Sequence, residues 1–457
     1  MSVRTRVEAR RQDAAEAVRP HVRWGLGHLL PRTLLSVAAR RGDLQAELIF
    51  STGDQHELFE RMRANGPLYK GRIGFMTTSL PVVREVLSSN DFRAGFDVSE
   101  LGGPIGRTFK WAVEASTRLG PLEPPSLLVT EPPDHTRYRR LVTRVFTVRA
   151  VEKLRERTQL IADELLDRLD GRDQVDLVAE YCSLLPVTVI AEILGVPMTE
   201  RDRILGFGEA AAPSLDLGLS WRRFRAVESA LADFERWLDD HLRSLRSNPG
   251  DDLLSQLVLA RDEGVGLTDV ELKSIAGLVL AAGFETTVNL LSNGTSLLCA
   301  HPEQLKTLRE DPSRWPNAVD EILRFDPPVL LTGRTATRDT VVAGTPVLKG
   351  QRVTTLLAAA NRDPDVFSEP NRFDVTRPEA REHVSFSGGR HFCLGAALAR
   401  MEGDVGLRTL FDRYPELEEL DGSQRRDTRI LRGFATLPVR LGPAARVPGS
   451  SSPVTTG

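Results

Sequence analysis

The sequence predicts a mainly α-helical fold with small β-sheets, built around one long central helix. Three observations predict it. Apolar residues recur at helical spacing over long stretches. One segment of some thirty residues is apolar on nearly every side. Alternating, strand-like stretches are few and short.

Residues 1–44 are rich in arginine and read as an N-terminal extension with some helical character. Gly71 to Thr77 reads as a strand, and Val82 to Val86 as either a strand or a helix. Val151, Leu154, Ile161, Leu165 and Leu169 recur at helical spacing, as do Val227, Leu231, Phe234, Leu238, Leu242 and Leu245. Each series gives a helix with one face against a core. The central helix starts at Thr268-Asp-Val-Glu271, where Thr268 and Glu271 can satisfy exposed amides as a capping box. It runs to about Ala300, ahead of His301-Pro302, a rod of about 45 Å. Its apolar middle places it through the centre of the protein. Thr340 to Val342, Pro346 to Leu348 and Arg352 to Leu356, punctuated by Gly344 and Gly350, read as hairpin strands. Residues 45–442 thus form the main domain. Residues 443–457, rich in Pro, Gly, Ser and Thr, read as a disordered tail.

Among 457 residues, 60 Lys and Arg face 63 Asp and Glu, a formal net charge of -3. That balance lacks the basic excess of a nucleic-acid binder, so no nucleic acid is expected as a partner. The three cysteines, Cys182, Cys299 and Cys393, are far apart, and none belongs to a CxxC. They suit neither a disulfide framework nor a structural zinc site, and a reducing cytoplasm fits them. The first twenty residues are charged throughout, unlike a secretory signal. Trp24 to Ala39 is interrupted by Pro31 and Arg32. Ile275 to Ala300 carries Glu285, Asn289 and Asn293, which a lipid-facing helix would seldom carry. The expectation is a cytoplasmic monomer with no transmembrane segment.

Residues 386–395 read Phe-Ser-Gly-Gly-Arg-His-Phe-Cys-Leu-Gly. The glycines at 388, 389 and 395 let the backbone turn tightly and approach a flat ligand. A Cys393 thiolate would be a soft donor to iron, favoured by the start of a helix beyond Ala396. A buried structural cysteine in a turn is the plainer alternative. Residues 282–287, Ala-Gly-Phe-Glu-Thr-Thr, place an acid beside a hydroxyl in the middle of the central helix. Burying that acid is costly without a partner or a purpose, though a satisfied polar pair at a kink would account for it. In Glu-Pro-Pro-Asp-His-Thr-Arg-Tyr-Arg-Arg, residues 131–140, His135 and Arg139 share one helical face. Two cationic donors there suit a carboxylate or phosphate, and a solvated basic helix is the alternative. Glu321 and Arg324 stand one helical turn apart and can pair.

The pattern Phe-x-x-Gly-x-x-x-Cys-x-Gly at 386–395 closely resembles the haem-binding loop of cytochromes P450, with Ser387 where a glycine is usual. The 282–287 segment matches that family's oxygen-activation motif, and the blocks at 131–140, 321–324 and 370–373 follow in the family's order. The resemblance implies the cytochrome P450 fold and haem b (heme b, iron protoporphyrin IX). Cys393 is then the axial ligand, with Phe386 packed near the sulfur. His135, Arg139, Arg334 and His391 hold the haem propionates, and Gly283 lets the central helix kink over the haem. Thr286 steadies dioxygen, and Glu285 relays protons. Arg372, from Pro370-Asn371-Arg372-Phe373, joins Glu321 and Arg324 in a folding trio. The implied reaction inserts one atom of O2 into a substrate by hydroxylation or epoxidation. Electrons come from a ferredoxin-type donor and its reductase, so NAD(P)H acts only indirectly. Arg137, Arg140, Arg144, Arg390 and Arg400 are candidates for a basic docking face. Phe96, Leu101, Phe109, Trp111, Leu127, Leu330, Leu331 and Phe434 fall in pocket segments, which favours a lipophilic small-molecule substrate. A peroxygenase and a non-catalytic haem-thiolate ligand-binding protein are the alternatives, and the Glu285-Thr286 pair argues against the first.

Overall fold

The computed structural model describes residues 16–51, 55–95, 102–114, 120–143, 148–262 and 265–445. Residues 16–24 are helical, pass through a π-helical turn at Gly25–Leu29 and continue as α1 (Leu30–Arg40). Pro31 sits in the first turn of α1. This N-terminal rod docks on the chain around residues 219–228. Trp24 Nε1 donates to the Leu219 carbonyl at 2.9 Å, the His21 ring stacks on Trp221 at 4.3 Å, and Arg23 pairs with Glu228.

The region expected as one strand, Gly71 to Thr77, is a hairpin: β1 (Tyr69–Lys70) and β2 (Phe75–Thr77) flank a turn in which the Gly71 amide donates to the Gly74 carbonyl. Val82 to Val86 lies in a helix, α2 (Leu80–Ser88). Val82, Val83, Val86 and Leu87 bury one 3.6-period face, and Pro81 occupies the first turn, where its missing amide costs nothing. Asp363 accepts from the Leu80 amide at 2.7 Å and satisfies the helix start. With β3 (Phe92–Ala94), β4 (Leu331–Ala336) and β5 (Arg352–Leu356), the hairpin forms a five-stranded sheet of order β1-β2-β5-β4-β3. β5 runs parallel to β2 and antiparallel to β4, and β3 is antiparallel to β4.

Eight further helices make up most of the main core. They are α3 (Asp134–Thr143), α4 (Val148–Asp167), α5 (Leu184–Ile193), α6 (Arg201–Ala211), α7 (Trp221–Ser247), α8 (Asp269–Ala300), α9 (Trp315–Phe325) and α10 (Ala396–Arg413). The capping box at α8 forms as expected: the Glu271 amide donates to Thr268 Oγ1, and the Thr268 amide to Glu271 Oε2. Tyr138 and Arg137 of α3 also donate to Glu271, which ties α3 to the start of α8. α8 is long and apolar enough to cross a membrane, but here it is the core helix: 67% of its most apolar window is buried. It packs against α5, α7, α9 and α10. α6 crosses it closely because Gly208 has no side chain; a Cβ there would fall 1.9 Å from the Phe284 ring.

α9 carries Glu321 and Arg324, both fully buried and paired at 2.6 Å. The expected third member is corrected. Arg372 is exposed and pairs with Glu369, contributing only its carbonyl to Arg324 Nη2. The guanidinium that reaches Glu321 belongs to Arg377, whose Nε lies 3.3 Å from Oε1. Arg377 also donates to the carbonyls of Ser368, Glu369 and Arg372 and so closes the whole 368–377 loop. Four residues of irregular chain separate the two arginines, and periodicity carries no information across such a segment.

Candidate active site

The loop at 386–395 is a tight turn held by its own backbone. The Cys393 amide donates to the Phe386 carbonyl at 2.9 Å, and the Ser387 amide to the Val384 carbonyl at 2.8 Å. Ser387 has φ 62°, the left-handed region that favours glycine, which explains why glycine is the usual residue at this point of the pattern. Gly389 has φ 63°, and a Cβ there would fall 2.1 Å from the Leu87 carbonyl oxygen, so α2 presses directly on the loop. Phe386 is buried beneath the turn, with the Arg400 guanidinium 4.5 Å from its ring centre.

Cys393 is exposed to solvent, and protein is packed closely around it. Burial pushes its thiol up, while the Gly395 amide and the charges of Arg139 and Arg400 pull it back.

Four cationic or imidazole side chains gather on this loop. Arg139 donates to the Phe392 carbonyl at 2.6 Å, beside the cysteine. His135, one turn earlier on α3, packs against His391 with the rings tilted by 51° and their centres 4.5 Å apart. His391 faces Glu131 through Nε2 and the Leu127 carbonyl through Nδ1. Arg334, on β4, reaches the loop through Ser387 Oγ at 3.4 Å.

Two of these four lack a matching partner. Arg334 is buried, and its hydrogen bonds go to Thr332, the Gly333 carbonyl and Ser387, none of them a carboxylate. Burial pushes its guanidinium down to about 10. Buried His135 Nε2 has no hydrogen-bond partner, and burial pushes that imidazole down to about 4. A buried cation and an orphaned ring nitrogen at one place fit the carboxylates of a ligand such as haem.

Above the core, α8 contributes a second set of groups. Between Leu272 and Cys299 its one exposed residue is Ala282, flanked by partly exposed Gly283 and Thr286. This turn faces open space in the middle of an otherwise packed helix. Thr286 Oγ1 donates to the Ala282 carbonyl at 3.0 Å. Helical hydrogen bonding is unbroken through Gly283, where a Cβ would press on Ile190 of α5 at 3.0 Å. Glu285 is buried, and burial raises its carboxyl against the opposing pull of Arg426. Arg426 Nη1 lies 3.0 Å from Oε1, yet neither carboxylate oxygen accepts a well-directed hydrogen bond. Asn289, one turn on, is fully buried and also unpartnered. The Thr287 hydroxyl, which donates to the Gly283 carbonyl at 3.3 Å, lies beside Glu402 of α10 and so brings α8 against the helix behind the cysteine loop.

The profile of the cytochrome P450 family matches residues 315–442. A putative cytochrome P450 140 of Mycobacterium tuberculosis is 50% identical over 431 residues, which are 92% of this chain and 97% of that protein. The chain belongs to the cytochrome P450 family. It is a cytochrome P450 monooxygenase, and hydroxylases are among its relatives. A 6-deoxyerythronolide B hydroxylase of Saccharopolyspora erythraea is 42% identical over 316 residues, 68% of this chain and 77% of the relative. The solved structure of P450BioI in complex with hexadec-9Z-enoic acid ligated acyl carrier protein superposes with a TM-score of 0.77. It is 31% identical and covers 85% of this chain and 98% of that one.

Within this cytochrome P450, several sequence expectations change. Of the candidate docking arginines, Arg137 pairs with Glu271, Arg390 with Glu131 and Arg400 with Asp320, so three of their charges are engaged inside the protein. Arg144 lies outside the described residues, as do Phe96 and Leu101 of the candidate pocket. Leu330 and Phe434 are buried in the core, and the Arg425 guanidinium covers the Phe434 ring at 3.9 Å. Trp111 is partly exposed beneath Arg19. Sequence reasoning also missed Glu131. Its carboxylate takes both Arg390 and His391, which with the Ala94 amide outweigh burial and hold it down at about 2. Its position two residues before Pro133, in the block already singled out, was the available signal. Arg426 and Asn289 carried no comparable signal.

Proposed function

We propose that this cytochrome P450 holds haem b through Cys393 and inserts one oxygen atom from O2 into a lipophilic small molecule. The observation that carries the reading is the convergence near one exposed cysteine of His135, Arg139, Arg334 and His391, with Arg334 buried and hydrogen-bonded to no carboxylate. When bound, the haem supplies reductive activation of dioxygen, with a thiolate ligand favouring O–O cleavage.

The chain's own residues do the rest. The Gly395 amide and the nearby start of α10 stabilise negative charge on Cys393. Arg334 and His135 offer their free donors to the propionates, and Arg139 and His391 complete that side. Glu285 is buried beside the exposed turn of α8, and burial raises its carboxyl against the pull of Arg426, so it holds a proton more readily than a surface glutamate and can pass it inward. Thr286 donates to Ala282, which leaves its oxygen lone pairs free to accept from a distal donor and fixes the hydroxyl at the open turn. Apolar packing around the site keeps bulk water from diverting those protons.

We assign the electron supply to a ferredoxin-type protein, reduced in turn by NAD(P)H through its reductase, with the protein in the cytoplasm. The exposed outer face of α3, which carries Arg140, supports a docking position close to the cysteine loop. The long-chain acid in the P450BioI complex and the 6-deoxyerythronolide B named for the hydroxylase relative support a bulky, lipophilic substrate.

The deciding experiment is the spectrum of the reduced carbon monoxide complex of purified holoprotein. A thiolate-type red-shifted Soret band that is lost in Cys393→Ser supports the assignment. A histidine-type band in the parent overturns it. Ferric Soret shifts across a lipophilic library, followed by turnover with labelled dioxygen, then identify the substrate.

A further inference from the structure

The N-terminal rod is apolar on two sides. Leu35 and Ala38 of α1 pack inward against Ala46. On the neighbouring face, about a quarter turn round the helix, Leu30, Leu34 and Val37 follow at helical spacing and are all exposed, Leu34 by 61% and Val37 by 43%. Leu29 adjoins them, also exposed. A stripe of this kind is more than the scattered surface leucines of an ordinary soluble protein.

Two further exposed apolar residues meet α1 near its ends. At the start, Leu217 sits in a turn tied to the rod: the Leu219 amide donates to His28 Nδ1, and a Cβ on Gly218 would lie 3.5 Å from Arg32 Cβ. At the finish, Ile73 is 50% exposed on the β1–β2 turn. The Arg72 amide donates there to Asp43, and the Ile73 amide to Gln45, just past α1.

The charge pattern identifies the occupant. Residues 1–41 contain nine arginines and three acidic residues, in a chain whose net charge is -3. Arg32, Arg40, Arg41 and Arg72 are exposed and make no ion pair among the described residues. An apolar stripe bordered by free arginines matches an interface whose surface is anionic and whose interior is hydrocarbon. We propose that α1, with the Ile73 and Leu217 turns, is a peripheral docking face for an anionic lipid bilayer. The helix lies in the plane of the headgroups and does not span the bilayer. The proposal is independent of the haem-ligand assignment.

The test is co-sedimentation of the full holoprotein with vesicles of phosphatidylglycerol and phosphatidylcholine, against phosphatidylcholine alone. Partitioning to the anionic vesicles is expected, at least tenfold stronger than to the neutral ones and weakened by salt. The double variant Leu34→Asp/Val37→Asp should lose more than tenfold in partitioning while keeping its carbon monoxide spectrum and helical circular dichroism. Arg40→Glu/Arg41→Glu, in a protein of unchanged spectrum, should weaken binding and flatten its salt dependence. The proposal is overturned if the parent stays in solution with both vesicle types, or if the Leu34/Val37 variant binds as well as the parent. It is equally overturned if sedimentation equilibrium reveals a dimer that the same variant splits, since the face then belongs to a second copy.

Discussion

At the scale of single residues, the protein depends on where burial has moved protons. Cys393 sits where burial resists ionisation, and the Gly395 amide with the charges of Arg139 and Arg400 offsets that only in part. Thr286→Ala leaves Cys393 untouched, so we expect an unchanged carbon monoxide spectrum but a larger share of electrons lost to peroxide. Comparing NAD(P)H consumed with product formed checks this; full coupling in the variant would remove Thr286 from proton delivery. Glu402 offers a test by pH. It is buried, and burial lifts its carboxyl to about 8, against the opposing influence of the neighbouring Thr287 hydroxyl. The folded state therefore holds that proton more tightly than the unfolded chain does. The stabilisation is complete below the unfolded pKa and fades as pH rises through about 8. Glu402→Gln cannot ionise, so its melting temperature should fall less than the parent's as pH rises from the ordinary carboxylate range to about 8. Parallel melting curves across that range would show that Glu402 does not set the slope.

At the scale of elements, the 368–377 loop and the 386–395 loop each hang on a few polar contacts. Arg377 reaches a fully buried carboxylate on α9, whereas Arg372 is exposed and pairs with a neighbour. Removing one partner of a buried pair costs about 3–5 kcal/mol, and removing an exposed partner at most about 1 kcal/mol. Arg377→Ala should therefore cripple folding or haem incorporation, while Arg372→Ala should resemble the parent in urea unfolding. Equal losses would refute the assignment of the third member of the trio. In the cysteine loop, Ser387→Gly relieves a left-handed residue at about 1–2 kcal/mol, offset by about 0.4–1 kcal/mol of added freedom in the unfolded chain. We expect it to bind haem normally and to match or slightly exceed the parent in stability.

At the scale of the whole molecule, α8 decides the layout. α6 crosses it at Gly208, α10 carries the cysteine loop beside it, and α3 anchors its capped start through Glu271. Gly208→Ala would drive a methyl group into the buried Phe284 ring, one residue from Glu285. Overpacking of this kind typically costs about 1–3 kcal/mol. A lowered melting temperature together with reduced coupling, from a residue on a different helix, is the expected signature of that crossing.

The central helix, its capping box and the long faces of α4 and α7 were legible in the sequence because each is a local, periodic signal. The cysteine loop was legible for a different reason: glycines and one thiol at fixed spacing express a backbone turn that few other residues can make. Val82 to Val86 was ambiguous because a short apolar run satisfies two periods, and contact with Asp363 and the loop settled it as a helix. The choice of Arg377 over Arg372, the pairing of Glu131 with His391 and Arg390, and the placement of Arg426 against Glu285 could not be read in advance. Each joins side chains whose separation in the chain carries no period. The sequence by itself determined which local structures form and which chemistry the cysteine can support. Only the tertiary structure decided which charges meet, because a buried ion pair is selected by the desolvation of groups brought together from distant parts of the chain.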